Sequence, residues 1–353
     1  MKKLKLGLIG CGNISPLYLK SARHFEGLEF IACSDLNLEL AHARAKEFDI
    51  PEVLSVDELL VHPEVECIVN LTIPAAHAEI AKRALNAGKH VYNEKPLAAR
   101  LEDAQEIVAL AKSKGLRLAC APSTFLGATV QTAKQALADG MIGEPIAANA
   151  FFMSHGMEHW HPNPESFYQP GAGPMFDMGP YYLTALVNLL GSVKSVTASA
   201  RISFPERTIS SEPKSGQTFK VNTPTHIAGT LEFMSGAIAT VITSFDVWHT
   251  QMPKFEIYGA EGTLSLEMPN MFGVKVELRK AQDKDWQTLP FVSEFQDFEA
   301  SWALALADLA WAIEEDRPHR ASSEQALHVL ELMQAFLKSA ELGKKVEIDS
   351  RLP

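Results

Sequence analysis

From Leu4 to about Ala121 the chain alternates short apolar runs with helix-like stretches; the runs read LKLGLIG, EFIACSD, CIVNLTI, HVYNEK and LRLACAP. That is the rhythm of βαβ units. A strand that is apolar at nearly every position must be covered on both faces, and the crossover helices between parallel strands supply the cover. The first part of the chain is therefore expected to be a doubly wound parallel sheet. After Pro122 the texture changes: a helix near residues 127–139, a loop dense in His, Pro and Trp, and a helix near 175–190. Then come the runs VKSVTASARIS, THIAGTLEF, GAIATVITSFDVW, KFEIYGAEGTLSLE and VKVELRK, with turns at Ser235-Gly236 and Glu261-Gly262. Alternating polarity between hairpin turns predicts a large, mostly antiparallel open sheet. Two helices, near 295–314 and 323–343, close the chain. With 353 residues, two cores are expected, cut once near residue 122.

The first strand ends in Gly10-Cys11-Gly12-Asn13-Ile14-Ser15, which opens a helix. Glycines permit the tight bend and let backbone N–H groups approach a pyrophosphate at the positive end of that helix. Ser15 stands where a third glycine serves helix–strand packing, and it is small enough for that place. Asp35 ends the second strand, about 20 residues on, where an acid reads ribose hydroxyls; its plainer alternative is a solvated strand-end carboxylate. An acid there repels a 2'-phosphate, and Leu36 and Asn37 bring no arginine, so NAD is favoured, with NADP the alternative. Residues 1–122 thus read as an NAD(P)-binding Rossmann domain, and 123–353 as an α+β domain for substrate binding and oligomerisation.

A net charge of -11 disfavours nucleic acid and anionic lipid as partners. No apolar run approaches the roughly 18 residues of a spanning helix, and Leu4 to Ile9 runs straight into the glycine turn without a cleavage site. No membrane partner, no signal peptide and a cytoplasmic location are expected. The four cysteines, Cys11, Cys33, Cys67 and Cys120, lack zinc spacing and read as reduced core residues, Cys11 being the exposed one.

Thr72-Ile73-Pro74-Ala75-Ala76-His77, the run AGKHVYNEKPLA with its Glu94-Lys95-Pro96, and the closing SSEQALHVLELMQAFLKSAELGKKVEI resemble the glucose-fructose oxidoreductase, inositol dehydrogenase and rhizopine catabolism (Gfo/Idh/MocA) family over essentially the whole chain. The resemblance implies that Thr72, Pro74 and His77 line the dinucleotide, that Glu94 approaches the nicotinamide ribose, and that Lys95 sits where hydride leaves the substrate. Independently, a lysine at the carboxyl end of a parallel strand points into the crevice where such sheets bind ligands. Otherwise Lys95 would be a solvated surface lysine and His77 a helix-face residue without a ligand.

Gly171 to Tyr182, GAGPMFDMGPYY, resembles the family segment that carries an aspartate and, four residues on, usually a histidine; here that place is Tyr181. This DxGxY form is similar to the glucose-fructose oxidoreductase and dihydrodiol dehydrogenase branches, where tyrosine is the proton-transfer group. Four residues apart on one helix, Asp177 and Tyr181 would share a face. A helix cap and a partly buried aromatic are the plainer readings. Pro122-Ser123-Thr124-Phe125 lacks the arginine that many relatives carry, so a neutral substrate is expected. His159, Trp160 and His161 are candidate sugar contacts in a loop that could equally be bland surface. His155, His159 and His161 suggest zinc spacing, but no helix holds them on one face and hydride transfer needs no metal, so none is expected.

Together these readings predict an NAD-dependent oxidoreductase acting on a CH–OH carbon of a sugar or polyol. Lys95, Asp177 and Tyr181 are its catalytic set, with Tyr181 or Lys95 as proton acceptor. A phenol of ordinary pKa, about 10, needs a nearby cation to serve as base at neutral pH. The alternatives are an NAD-dependent glycosidase or epimerase using transient oxidation, and a noncatalytic NAD-binding regulator. A homodimer or homotetramer through the second-domain sheet is implied by the resemblance.

Overall fold

Residues 2–352 are described by the computed structural model. In its first part, strands β1 (Leu4–Ile9), β2 (Leu28–Ser34), β3 (Glu52–Val53), β4 (Cys67–Asn70), β5 (His90–Asn93) and β6 (Leu118–Cys120) form one sheet in the order β3-β2-β1-β4-β5-β6. Every neighbouring pair is parallel. Helices α1 (Ser15–Ala22), α2 (Leu38–Phe48), α3 (Val56–Val61), α4 (Pro74–Asn86) and α5 (Leu101–Ser113) make the crossovers. Their starts are written locally. Asn37 caps α2 by accepting from the Glu39 and Leu40 amides, Ser55 and Glu58 close a capping box on α3, and Pro74 opens α4 where its missing N–H costs nothing. β4 is buried at all four positions, as a strand sandwiched by helices must be. Strand order reverses between β1 and β4, which places the ligand crevice beyond the carboxyl ends of these strands.

The later part begins with α6 (Ala128–Ala138), β7 (Pro145–Met153), α7 (Gly173–Asp177) and α8 (Gly179–Leu190). It continues through β8 (Val193–Arg201), β9 (Glu206–Thr208), β10 (Thr218–Lys220), β11 (His226–Phe233), β12 (Ile238–Ser244), β13 (Phe255–Gly259), β14 (Gly262–Leu266), β15 (Val276–Lys280) and β16 (Gln287–Thr288). After α9 (Phe298–Ser301), α10 (Leu304–Glu314) and α11 (Ser323–Leu342), β17 (Val346–Glu347) completes a nine-stranded sheet ordered β16-β15-β14-β13-β7-β12-β11-β8-β17. It is antiparallel except where β12 runs parallel to β7. Ile227, Leu231, Val241, Ile257 and Leu264 are buried on the side covered by α6 and α8. A small hairpin, β9 with β10, stands apart and carries no signal that the strand reading caught.

The chain divides into two compact units, and the division is not the single cut near residue 122 that the sequence suggests. Residues up to Gly127 together with Phe295–Leu330 form the first; Ala128–Glu294 and the residues from Glu331 onward form the second. Burial explains the return of 295–330. The Ser21 hydroxyl on α1 donates to Ala300 O and accepts from the Ala303 amide, both at 2.7 Å, and Trp302 and Trp311 pack edge-on against Tyr18 and Phe25. The expected helix at 295–314 is in fact α9 and α10, and that at 175–190 is α7 and α8. In the second case Pro180 has no N–H to donate to Phe176, so the ladder breaks. Among the described residues no helix is long and apolar enough to cross a membrane.

Candidate active site

Gly10 has φ +97°, and a Cβ on it would lie 2.6 Å from both the carbonyl carbon and oxygen of Leu71, so the turn after β1 can press against the end of β4 only with glycine there. Gly12 is the opposite case: a Cβ would meet nothing within 4 Å, which leaves open space beside the turn at the head of α1. Asn13 is exposed and Ile14 half-buried. Ser15 does more than fit, since its Oγ donates to Gly12 O at 2.8 Å and tightens the turn. The Asp35 carboxylate accepts from the Cys11 amide at 2.7 Å and, through its other oxygen, from the Asn37 amide at 2.8 Å. Each oxygen keeps a further lone pair for a ribose hydroxyl. An open cradle, aligned amides and a fixed acid fit a dinucleotide.

Two features of this turn differ from expectation. Cys11 is fully buried, not exposed. Contact with the Cys33 thiol, burial and the Asp35 charge push its pKa up, which leaves an inert thiol. An arginine does reach the turn: Arg44, from α2, donates to Cys11 O at 3.4 Å while it pairs with Glu47, and its Nε is buried without a hydrogen-bond partner. It lies nine residues beyond Asp35, one helix turn after another, where a search of the positions next to Asp35 does not look.

At the ends of β4 and β5 a buried polar network replaces the cofactor-facing ring that the sequence suggests for His77. The imidazole is 1 % exposed, its Nδ1 2.6 Å from Pro96 O and its Nε2 3.0 Å from Thr72 O. It fastens the β4–α4 loop to the Lys95-Pro96 turn. Asn70 strengthens the join: its Nδ2 donates to Asn93 Oδ1 at 2.9 Å and to His77 O at 3.1 Å, and its Oδ1 accepts from the Thr72 hydroxyl at 2.7 Å. Asn70 and Asn93 escaped sequence reasoning, although an asparagine closing an otherwise apolar parallel strand signals a paired polar group. Thr72 is half-buried and Pro74 exposed at the first turn of α4.

Glu94 is buried, and its two oxygens accept from the Tyr18 hydroxyl at 2.7 Å and the Lys95 amide at 2.8 Å. The Tyr18 and Tyr92 hydroxyls are 3.3 Å apart, and Tyr92 reaches Ser123 Oγ at 3.4 Å. Burial and then the Glu94 charge hold both phenols well above their ordinary pKa, so they stay protonated donors. The Lys95 side chain is half-buried at this same edge.

Asp177 and Tyr181 lie in the second unit, as do His159, Trp160 and His161. Asp177 closes α7, and α8 has Met178 at its N-cap with no side-chain cap bond, so Asp177 does not serve as that cap. Asp177 is half-buried and Tyr181 buried. His159 and Trp160 are exposed, whereas His161 packs edge-on against Phe167 and accepts from the Asn163 amide at 3.0 Å, a bond that shapes the loop. Among the described residues no three His, Cys, Asp or Glu side chains are grouped to hold a metal ion.

Residues 4–121 match the oxidoreductase family with an NAD-binding Rossmann fold, and residues 130–265 match the GFO/IDH/MocA C-terminal domain. A 1,5-anhydro-D-fructose reductase of Ensifer adhaerens is 28% identical over 98% of this chain and 99% of its own. Among solved structures, an NAD binding oxidoreductase from Klebsiella pneumoniae superposes with a TM-score of 0.87 at 23% identity, covering 99% of this chain and 100% of that one. Levoglucosan dehydrogenase in complex with NADH and levoglucosan does so with a TM-score of 0.86 at 21% identity, over 99% and 100%. At such identities the structures speak for the fold, and the two family matches carry the assignment: the chain is an NAD-binding oxidoreductase of the Gfo/Idh/MocA family.

Proposed function

We propose that this oxidoreductase interconverts an alcohol carbon and a carbonyl of a neutral sugar or polyol, with NAD preferred over NADP. The observation that carries the cofactor preference is the Asp35 carboxylate, fixed by two backbone amides at the end of β2. A carboxylate so held cannot swing away from a 2'-phosphate. Arg44 is a counterweight at the turn, and its pairing with Glu47 already offsets its charge. NAD, when bound, supplies the hydride acceptor or donor. Tyr181 and Lys95 are the proton-transfer candidates, Asp177 tunes Tyr181, and Trp160 offers a ring-face contact to the sugar. The outer face of the nine-stranded sheet, with Ile238 exposed on β12, suits self-association into a dimer or tetramer.

The test is the reduced-nicotinamide absorbance when protein with NAD, and separately NADP, meets a panel of neutral sugars and polyols. NADH accumulation with one of them is expected. Lys95→Met and Tyr181→Phe should each lower turnover by about a hundredfold while cofactor affinity holds. Equal loss of cofactor affinity would remove those roles. Tight NAD binding with no NADH from any compound would turn the reading to transient oxidation.

A further inference from the structure

The second unit contains a cavity of about 260 Å³ that none of the dinucleotide, Lys95, Asp177 or Tyr181 positions line. Its floor is a buried ion cluster. Arg207, 4% exposed at its side chain, pairs with both Glu158 and Asp246 and donates to His155 O at 3.2 Å and Phe245 O at 2.9 Å. Tyr168 donates to Glu158 and accepts from the Met157 amide at 3.1 Å, and the Thr225 hydroxyl donates to Asp246 at 2.8 Å. A guanidinium tied at this many points is immobile, and what lies above it is preorganised. Two polar atoms stay unpartnered: Arg207 Nε and His155 Nδ1.

The wall is aromatic. His155 and Trp248 stack at 3.3 Å between ring centroids and 13° between planes. Trp248 is nevertheless 71% exposed and Phe204 46% exposed, so ring faces remain for something else to cover. Glu206, Thr208, Ser210 and His159 complete the lining with groups that donate and accept. Charge narrows the occupant. Glu158, Asp246 and Glu206 outnumber Arg207 and repel phosphate or carboxylate, while the guanidinium, 5.2 Å over the Phe204 ring, already holds the place of a cation. A neutral ring with apolar C–H faces and a hydroxyl-bearing edge matches both wall and rim.

We propose that this cavity is a binding subsite for a neutral pyranose ring, stacked on Trp248 and hydrogen-bonded along its edge by Thr208, Ser210 and His159. Tyr181 is not among the residues that line it. Ring contacts run from Tyr182 on α8 to Phe152 at 6.0 Å, to Phe245 at 6.3 Å and to Tyr168 at 5.7 Å before the floor is reached. It shares sugar chemistry with the reaction proposed above but does not depend on it, because occupancy requires neither NAD nor hydride transfer.

Calorimetric titration of the full-length protein without NAD tests this, with the methyl pyranosides of glucose, galactose and mannose as probes and glucose 6-phosphate and choline as charged controls. At least one neutral glycoside should bind, Trp248→Ala should weaken it by about tenfold, and Trp248→Phe should restore most of the loss. Tyr181→Phe should leave that affinity within about twofold, and NAD affinity should be the same in all variants. Three results would overturn the proposal: no neutral glycoside binds, a charged control binds better, or the affinity falls with Tyr181→Phe and survives Trp248→Ala. NADH formation in the sugar panel reads the reaction separately, so either proposal can fail alone.

Discussion

The Tyr18 hydroxyl, projecting from the helix that follows the glycine turn, donates to Glu94 Oε1 at 2.7 Å, and the other oxygen of the same carboxylate holds the Lys95 amide at 2.8 Å. One acid thus joins the helix that opens at the glycine turn to the turn that carries the candidate proton acceptor. Tyr18→Phe removes a donor from a buried carboxylate, which costs about 1–3 kcal/mol when the group stays unsatisfied. Turnover should fall by about tenfold. A double-mutant cycle of Tyr18→Phe with Glu94→Gln should show clear coupling; additive losses would mean that the contact does not set the turn.

The two turn glycines should fail in different ways. Gly10→Ala places a Cβ against the Leu71 carbonyl in a backbone of positive φ, so unfolding in urea should reveal a loss of about 3 kcal/mol or more. Gly12→Ala meets no protein atom, so the melting temperature should stay within about 2 °C while NAD affinity drops about tenfold or more. Unchanged NAD binding in Gly12→Ala would mean that the open space there is not the cofactor's.

Acid should weaken the first unit through His90 and His319. Burial, and then the Arg117 charge, lowers the pKa of His90, whose Nδ1 accepts from the Arg117 amide at 2.9 Å; burial lowers that of His319, whose Nδ1 is buried without a partner. The unfolded imidazoles take up protons near pH 6.5, roughly their ordinary value, while the folded ones resist, so stability is full above that pH and declines as pH falls below it. Urea midpoints at about pH 7.5 and 5.5 should show this drop, smaller in His319→Gln. A slope that the substitution does not change would assign the acid sensitivity elsewhere.

What the sequence revealed and what it hid divide along physical lines. Burial on both faces of the early strands and one-face alternation in the later ones are written residue by residue, so both sheets were legible. Gly10, Gly12, Ser15 and Asp35 are neighbours of the turn that they build, and their local spacing carries the signal. The Arg207, Glu158 and Asp246 cluster draws on three distant segments, and no spacing announces it. The same holds for Tyr18 and Glu94, one on a helix and one at a strand end. An apolar segment such as 304–312 tells that it is buried but not against what, so its return to the first unit was hidden.

The Ser21 bonds to Ala300 and Ala303 also bear on how the protein is born. Ser21 and Ala300 are 279 positions apart, so at about 5–20 residues per second the ribosome needs roughly 15–55 seconds between making α1 and making its support. For that interval the helix at the dinucleotide turn has an unfilled back. The support behind the glycine turn is therefore completed late in synthesis, although Gly10, Gly12, Ser15 and Asp35 all emerge early.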